Sequence, residues 1–464
     1  MNEKKYLKWN NKLGYGSGDI AANCIYALLT SFLMIYLTDT VGLKPEIVGF
    51  LIMVSKLLDG VTDLFFGNLL DRTHSKMGKA RPWMLWTEIG NCVCLVAIFA
   101  IPRSFDDTVK YVYFFIAYVM LNAVFYTANN IAYGALNALI TKNSNERVQM
   151  GSIRYMFALA TDLIISYITI DLVTHFGGGA QGWRTVAIIY AAIALISNTV
   201  AVFSVKELPE EGIQCTEIER THEKNEKISL LKSFGLLFQN KYFIMLLLLY
   251  IVMYLQSGVM GSAGIYYMTY VLGDASLLGS FSIAQMLPVV IGCMLTPFLV
   301  KKMNGMYKVN LIGYVLAVVF RIVVVIGGYL ENIPLMLAAA ACAALFRSPL
   351  TGDVNALISA AADYTFYTKG VHIEGSIFSC TSIGIKLGGG IGSAIFGLLL
   401  AAGGYVNGST SQPVSALNMI RFLYLWVPLI GFAIITLILV FMKVEKANVD
   451  LEMQHGGERS TTNM

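Results

Sequence analysis

Ser55-Lys-Leu-Leu-Asp-Gly-Val-Thr-Asp63 lies at the centre of an apolar run covering residues 47–70. Helical spacing puts Asp59 and Asp63 one turn apart on the same face, with Lys56 one turn before Asp59. A run of this length crosses a hydrocarbon core about 30 Å thick, so these charges sit at membrane depth. A charge there costs at least about 3 kcal/mol and is expected to face a cavity or a partner. Two carboxylates a turn apart can ligate a sodium ion with nearby hydroxyl and carbonyl oxygens, or can share a proton, because like charges disfavour double ionisation. The competing reading is that Lys56 neutralises one aspartate and the cluster only ties helices together.

Outward from this run, apolar windows of similar length recur near 14–38, 82–102, 111–138, 150–173, 183–205, 242–271, 277–300, 309–330, 333–359, 373–403 and 418–442. The expected fold is an all-α polytopic membrane protein with twelve transmembrane helices. They form two six-helix halves, 1–205 and 242–443, around a charged linker at 206–241, and a tail follows at 444–464. Of the 464 residues, 56% are hydrophobic and 13% charged, and the mean hydropathy is +0.64. Soluble domains carry about a quarter charged residues, so a soluble multidomain protein is excluded. The net charge of +4 comes without a basic stripe, which makes nucleic acid an unlikely partner. The seven cysteines show no ligand spacing with histidine and read as packing residues. The first run contains Asp19 and is too long for a cleaved signal, so it reads as a span.

Basic residues select an orientation. Lys4, Lys5, Lys8 and Lys12 precede span one, Arg72, Lys76, Lys79 and Arg81 follow span two, and Lys301, Lys302 and Lys308 follow span eight. The alternate links hold little more than Lys44, Arg103, Lys110 and Arg184. Both termini are therefore expected in the cytoplasm, with the chain in the plasma membrane.

Asp19, Arg154 and Lys386 are further charges inside spans and need partners. Around a cavity such groups hydrogen-bond sugar hydroxyls, and the cations can receive a substrate carboxylate. The competing reading is interhelical ion pairing. Asp162, Arg321, Arg347 and Asp353 also fall within the spans and read as ion-paired or boundary residues without a role. Asn129, Asn130, Tyr26, Tyr126 and Tyr133 add neutral donors and flat faces suited to a sugar ring. Lys386-Leu-Gly-Gly-Gly-Ile-Gly-Ser393 is a small-residue helix contact. No phosphate-binding loop occurs in any link, so no cofactor is expected and the energy should come from an ion gradient.

Several stretches together resemble the glycoside–pentoside–hexuronide:cation symporters, the melibiose and glucuronide permease type of the major facilitator superfamily. They are Gly14-Tyr-Gly-Ser-Gly-Asp19, Tyr36-Leu-Thr-Asp-Thr-Val-Gly42, the run from Asp59 through Asp63 to Asp71-Arg72, and Gly78-Lys-Ala-Arg-Pro-Trp83. The likeness resumes at Tyr126-Thr127, Ile131-Ala-Tyr133, Arg154, Ala362-Asp-Tyr364, Gly370, Glu374-Gly375 and Lys386. The resemblance implies a cation site at Asp59 and Asp63 assisted by Thr127, sugar recognition by Asp19 and Arg154, and Lys386 linking the two. Asn130 stands where melibiose-type members have an aspartate and is more like the glucuronide and xyloside branch. Thr62 stands where sodium-using members often have an asparagine, and its hydroxyl can still coordinate sodium, so Na+ and H+ both stay open.

The expected function is sugar:cation symport by alternating access in a monomeric carrier, with no enzymatic activity. A lysolipid carrier of the same fold, and a membrane-embedded glycosyltransferase, are the alternatives. The short links argue against the enzyme.

Overall fold

In the computed structural model of the chain, residues 5–102, 104–208, 238–369 and 374–461 are described. Most of the expected linker, with its acidic and basic run at 217–227, and Gly370 and Arg103 lie outside these residues.

Lipid offers the backbone no hydrogen-bond partners, so an apolar chain of this kind must satisfy its N–H and C=O groups within its own helices. Among the described residues the first part of the chain forms α1 (Trp9–Gly16), α2 (Gly18–Ala27), α3 (Leu33–Ile35), α4 (Pro45–Asp71), α5 (Arg81–Ile98), α6 (Asp107–Val119), α7 (Thr127–Ile140), α8 (Ser144–His175) and α9 (Gly179–Ser204). The later part forms α10 (Lys241–Tyr266), α11 (Leu277–Met303), α12 (Met306–Tyr329), α13 (Ile333–Lys369), α14 (Glu374–Ala402), α15 (Val414–Arg421), α16 (Val427–Phe441) and α17 (Val444–Thr461). Wide π-helical turns join several of these, among them Leu28–Phe32, Tyr36–Thr40 and Met120–Tyr126. Such turns release carbonyls from the i→i+4 pattern.

Ten helices among the described residues are long and apolar enough to cross a membrane. The helices at expected spans two and three, α4 and α5, do not join them. In α4 the apolar run is broken by Lys56, Asp59 and Asp63, and α5 carries Arg81, Glu88 and Asn91. Their lengths, 27 and 18 residues, correspond to about 40 and 27 Å of helix.

Local signals set the boundaries. Pro45 opens α4 at a position where a missing N–H costs nothing. The Asn143 side chain caps α8 by accepting from the Glu146 N–H at 3.1 Å. The expected tail continues as helix α17 as far as Thr461.

The chain packs as two units. The first comprises the described residues within Met1–Thr221, Gly261–Gly279 and Ser393–Ile420, and the second those within His222–Met260, Ser280–Gly392 and Arg421–Met464. In the first unit, glycines let helices approach backbone to side chain. A Cβ on Gly14 would lie 2.4 Å from Ser204 Cβ, one on Gly16 2.6 Å from Ile153 Cγ2, and one on Gly18 2.7 Å from Tyr133 Cζ. The three alternate glycines before Asp19 thus seat the first span against α9, α8 and α7 in turn.

Each unit also carries the same capping device. In the first, Glu207, four residues after Phe203, accepts from the N–H groups of Lys79, Ala80 and Arg81 at 2.6, 2.9 and 3.0 Å and so caps α5. In the second, Glu445, four residues after Phe441, accepts from Met306 and Tyr307 N–H at 3.0 and 2.8 Å and caps α12. An anionic carboxylate is the favoured partner for a helix N-terminus. A glycine with positive φ, Gly78 at 110° and Gly305 at 140°, precedes each capped turn and leaves room for the carboxylate.

Candidate functional site

Helix α7 meets two different acids, one at its first residue and one at its middle. At its start, the Thr127 hydroxyl donates to Asp59 Oδ1. The same hydroxyl oxygen lies 2.9 Å from the carbonyl of Asn122, which the wide turn Met120–Tyr126 leaves available. One hydroxyl proton serves one acceptor at a time, so Thr127 can turn from the carboxylate to the carbonyl and present its lone pairs instead. The Thr62 hydroxyl donates to the Asp59 carbonyl at 3.1 Å. Lys56 reaches the Ser393 hydroxyl at 3.5 Å and is also within the field of Asp59. Asp59, Thr62 and Asp63 are all half-buried. Thus Thr127 and Lys56 lie beside Asp59, while Thr62 bonds the backbone of its own helix.

Six residues along α7, about 9 Å of helical rise, the Tyr133 hydroxyl donates to Asp19 Oδ2 at 2.8 Å. Arg154 grips the same carboxylate with two donors, Nε to Oδ2 at 2.7 Å and Nη2 to Oδ1 at 3.3 Å. Its guanidinium carbon lies 3.8 Å from the Tyr133 ring centroid. The Tyr15 hydroxyl donates to the Tyr133 carbonyl at 2.9 Å, and the Tyr15 carbonyl, 2.8 Å from the Tyr133 hydroxyl, is the alternative acceptor for the one Tyr133 hydroxyl proton. Asp19 is 8% exposed, so a fork of donors and a cation above an aromatic face compensate a buried carboxylate.

The neutral candidates divide. Tyr26 is half exposed and stacks on Tyr126 with ring centroids 6.5 Å apart. Asn130 is exposed, on the same face of α7 as Tyr126 and Gly134, and no heavy atom lies within 4 Å of a Cβ built on Gly134. Asn129 points the other way and is buried. Lys386 belongs to the second unit, on α14 between Gly384, packed at Tyr250, and Gly388, packed at Ile251 and Tyr254. Arg321 and Asp353, read as ion-paired or boundary residues, have neutral partners: Arg321 donates to the Tyr424 carbonyl at 3.0 Å, and Asn310 lies 3.0 and 2.9 Å from the two Asp353 oxygens as their donor.

Two acid clusters escaped the sequence reading. Glu88, midway along α5, is 2% exposed and receives Nδ2–H donors from Asn91 at 3.0 Å and Asn129 at 3.1 Å. Its signal was plain: an acid in the middle of an expected span. Asp39, one residue past the expected end of span one, accepts from the hydroxyls of Tyr270, of Tyr405 at 2.5 Å and of Thr38 at 2.8 Å. Thr38 also meets the Tyr266 hydroxyl at 2.7 Å. Tyr266, Tyr270 and Tyr405 come from the segments Gly261–Gly279 and Ser393–Ile420 of the same unit.

Comparison with known proteins places this architecture. The family model described as MFS/sugar transport protein matches residues 14–446. The chain belongs to this family. It is therefore a secondary transporter, and the membrane-embedded enzyme is set aside. An "Isoprimeverose transporter" of Lactiplantibacillus pentosus is 30% identical over 98% of this chain and 94% of its own length. A "Glucuronide carrier protein homolog" of Escherichia coli (strain K12) is 24% identical over 89% of this chain and 87% of its own. Among solved structures, that of a "D-xylose-proton symporter" superposes with a TM-score of 0.66 at 14% identity, covering 95% of this chain and 98% of that one. At that identity the likeness shows the fold.

Proposed function

We propose that this sugar symporter imports a glycoside, pentoside or hexuronide with Na+ or H+, by alternating access, across the plasma membrane with both termini in the cytoplasm. Counting α4 and α5 as spans makes twelve, and the carrier works as a monomer in the bilayer with no cofactor beyond the coupling ion. The observation that carries the reading is that α7 holds Asp59 through Thr127 at one end and Asp19 through Tyr133 further along. A cation on Asp59 and Asp63, helped by the Thr62 and Thr127 oxygens, would shift the start of α7. A sugar engaging Asp19, Arg154, Tyr133, Tyr26 and Asn130 would act on the same helix, with Lys386 completing the link. Each ligand then raises the affinity for the other by the same factor, as linkage requires. The names of the relatives, which specify isoprimeverose and glucuronide, support this substrate class.

The test is uptake into proteoliposomes of a panel of glycosides, pentosides and hexuronides, with sodium and pH varied independently. At least one sugar should accumulate under an imposed gradient of one ion and not the other. If the whole panel stays outside, and Asp59→Asn changes nothing, the reading fails; movement of a lysolipid instead would assign the alternative cargo.

A further inference from the structure

Glu88 has two oxygens, and both donors that reach it go to one of them, Oε2. Oε1 is buried without a hydrogen-bond partner, and so is Oδ1 of Asn91, the side chain already joined to Glu88 through Nδ2. Two unsatisfied acceptors on adjacent, fully buried groups are costly, and both are cured by a single hydrogen between them. A carboxylic acid facing a primary amide offers that arrangement: amide N–H to acid C=O, and acid O–H to amide C=O.

Among the described residues, the structure records no positive charge acting on Glu88. From α2 the titratable group facing Glu88 is Cys24, from the wide turn before α7 it is Tyr126, and on its own helix it is Cys92. α7 presents the amide of Asn129, and α9 presents that of Asn198, which donates to the Met84 carbonyl at 2.9 Å. An ionised carboxylate in such a pocket would be uncompensated, at a depth where burying a bare charge is strongly unfavourable.

We propose that Glu88 is a proton-binding site of the membrane core, its Oε1–H donated to Asn91 Oδ1 to close an acid–amide ring. The ring lies along α5 and is tied to α7 by Asn129 on Oε2, and the proton passes to water when the pH is raised. Because the folded carrier holds this proton and the unfolded chain releases it, stability falls as pH rises above the ordinary carboxylate range and levels off once the ring has opened. This site is separate from the Asp59 cation site, and its test needs no transport substrate.

The experiment is infrared spectroscopy of the full-length purified carrier in lipid. The C=O stretch of a protonated carboxyl should be present at neutral pH in the wild type, vanish in Glu88→Gln and move in Asn91→Leu, which removes the amide without touching the acid. A wild-type minus Glu88→Gln difference showing carboxylate bands, or a band unmoved by Asn91→Leu, overturns the proposal. A second readout is the thermal midpoint from about pH 4 to 9. Glutamine reproduces the ring without a proton to lose, so Glu88→Gln should abolish most of the decline that begins above the ordinary carboxylate range. Parallel pH dependences in the two proteins would refute the linkage even if the band assignment stood.

Discussion

Arg154 holds Asp19 as a fork, with Nε 2.7 Å from Oδ2 and Nη2 3.3 Å from Oδ1, while its guanidinium lies over the ring of Tyr133. Lysine keeps the charge but loses both the fork and the flat stacking surface. Arg154→Lys should therefore weaken sugar uptake about ten- to a hundredfold, the equivalent of about 1.5–3 kcal/mol for a charge-assisted bond. Tyr133→Phe should cost less, about 1 kcal/mol. Initial rates against sugar concentration check both, and unchanged kinetics in Arg154→Lys would leave the pair a structural clasp.

The hydroxyl of Thr127 on Asp59 makes a separable prediction for the coupling ion. Asp59→Asn should abolish stimulation of uptake by cation, whichever ion is used. Thr127→Val keeps the shape and removes only the oxygen, so the half-saturating cation concentration should rise about five- to tenfold, close to 1 kcal/mol. Titrating uptake with sodium at fixed pH, and with pH at fixed sodium, distinguishes the two ions and measures both effects.

Glycines with and without neighbours should respond in opposite directions. Gly18→Ala drives a methyl to 2.7 Å from Tyr133 Cζ and should lose about 1–3 kcal/mol through the resulting shift. Gly134→Ala adds its methyl to open space in a helix, where alanine is favoured by about 1 kcal/mol. Thermal midpoints of the purified proteins should move down for the first and hold or rise for the second.

How much of this was written in the residues depends on the kind of signal. Hydropathy marks where the chain meets lipid, so ten of the expected spans stand as long apolar helices. The two that fall short, α4 and α5, do so because charged and buried polar residues interrupt them. Helix ends were less legible: α13 runs to Lys369, ten residues beyond the apolar window, because capping and packing, not apolarity, end a helix outside the hydrocarbon. The Asp59 and Asp19 groups were legible as charges without an apolar excuse. Asn129 and Asn130 were not separable, since adjacent residues on a helix face about 100° apart and only the packing of α7 decides which one is buried. The wide turn that frees the Asn122 carbonyl left no pattern in the sequence at all.

Asp39 should prove costly to neutralise. Its carboxylate accepts three hydroxyls, two of them from tyrosines more than 200 residues away in sequence. Asp39→Asn turns one acceptor into a donor and should lower stability by about 2 kcal/mol, more than Tyr405→Phe, which deletes a single bond. Thermal melts of the two variants give the order, and the reverse order would show that the tyrosine ring contributes more than its hydroxyl.

The glutamate caps dictate a schedule. The N–H groups at the start of α5 wait for Glu207, and those of α12 wait for Glu445, across separations of 126 to 139 residues. As the chain emerges from the ribosome, neither helix start meets its carboxylate until the residues just past α9, for α5, or just past α16, for α12, have been made. Each cap therefore closes like a clasp more than a hundred residues after the helix start it serves, and a nascent chain stalled before that point carries an open helix end that a quality-control system could read as unfinished.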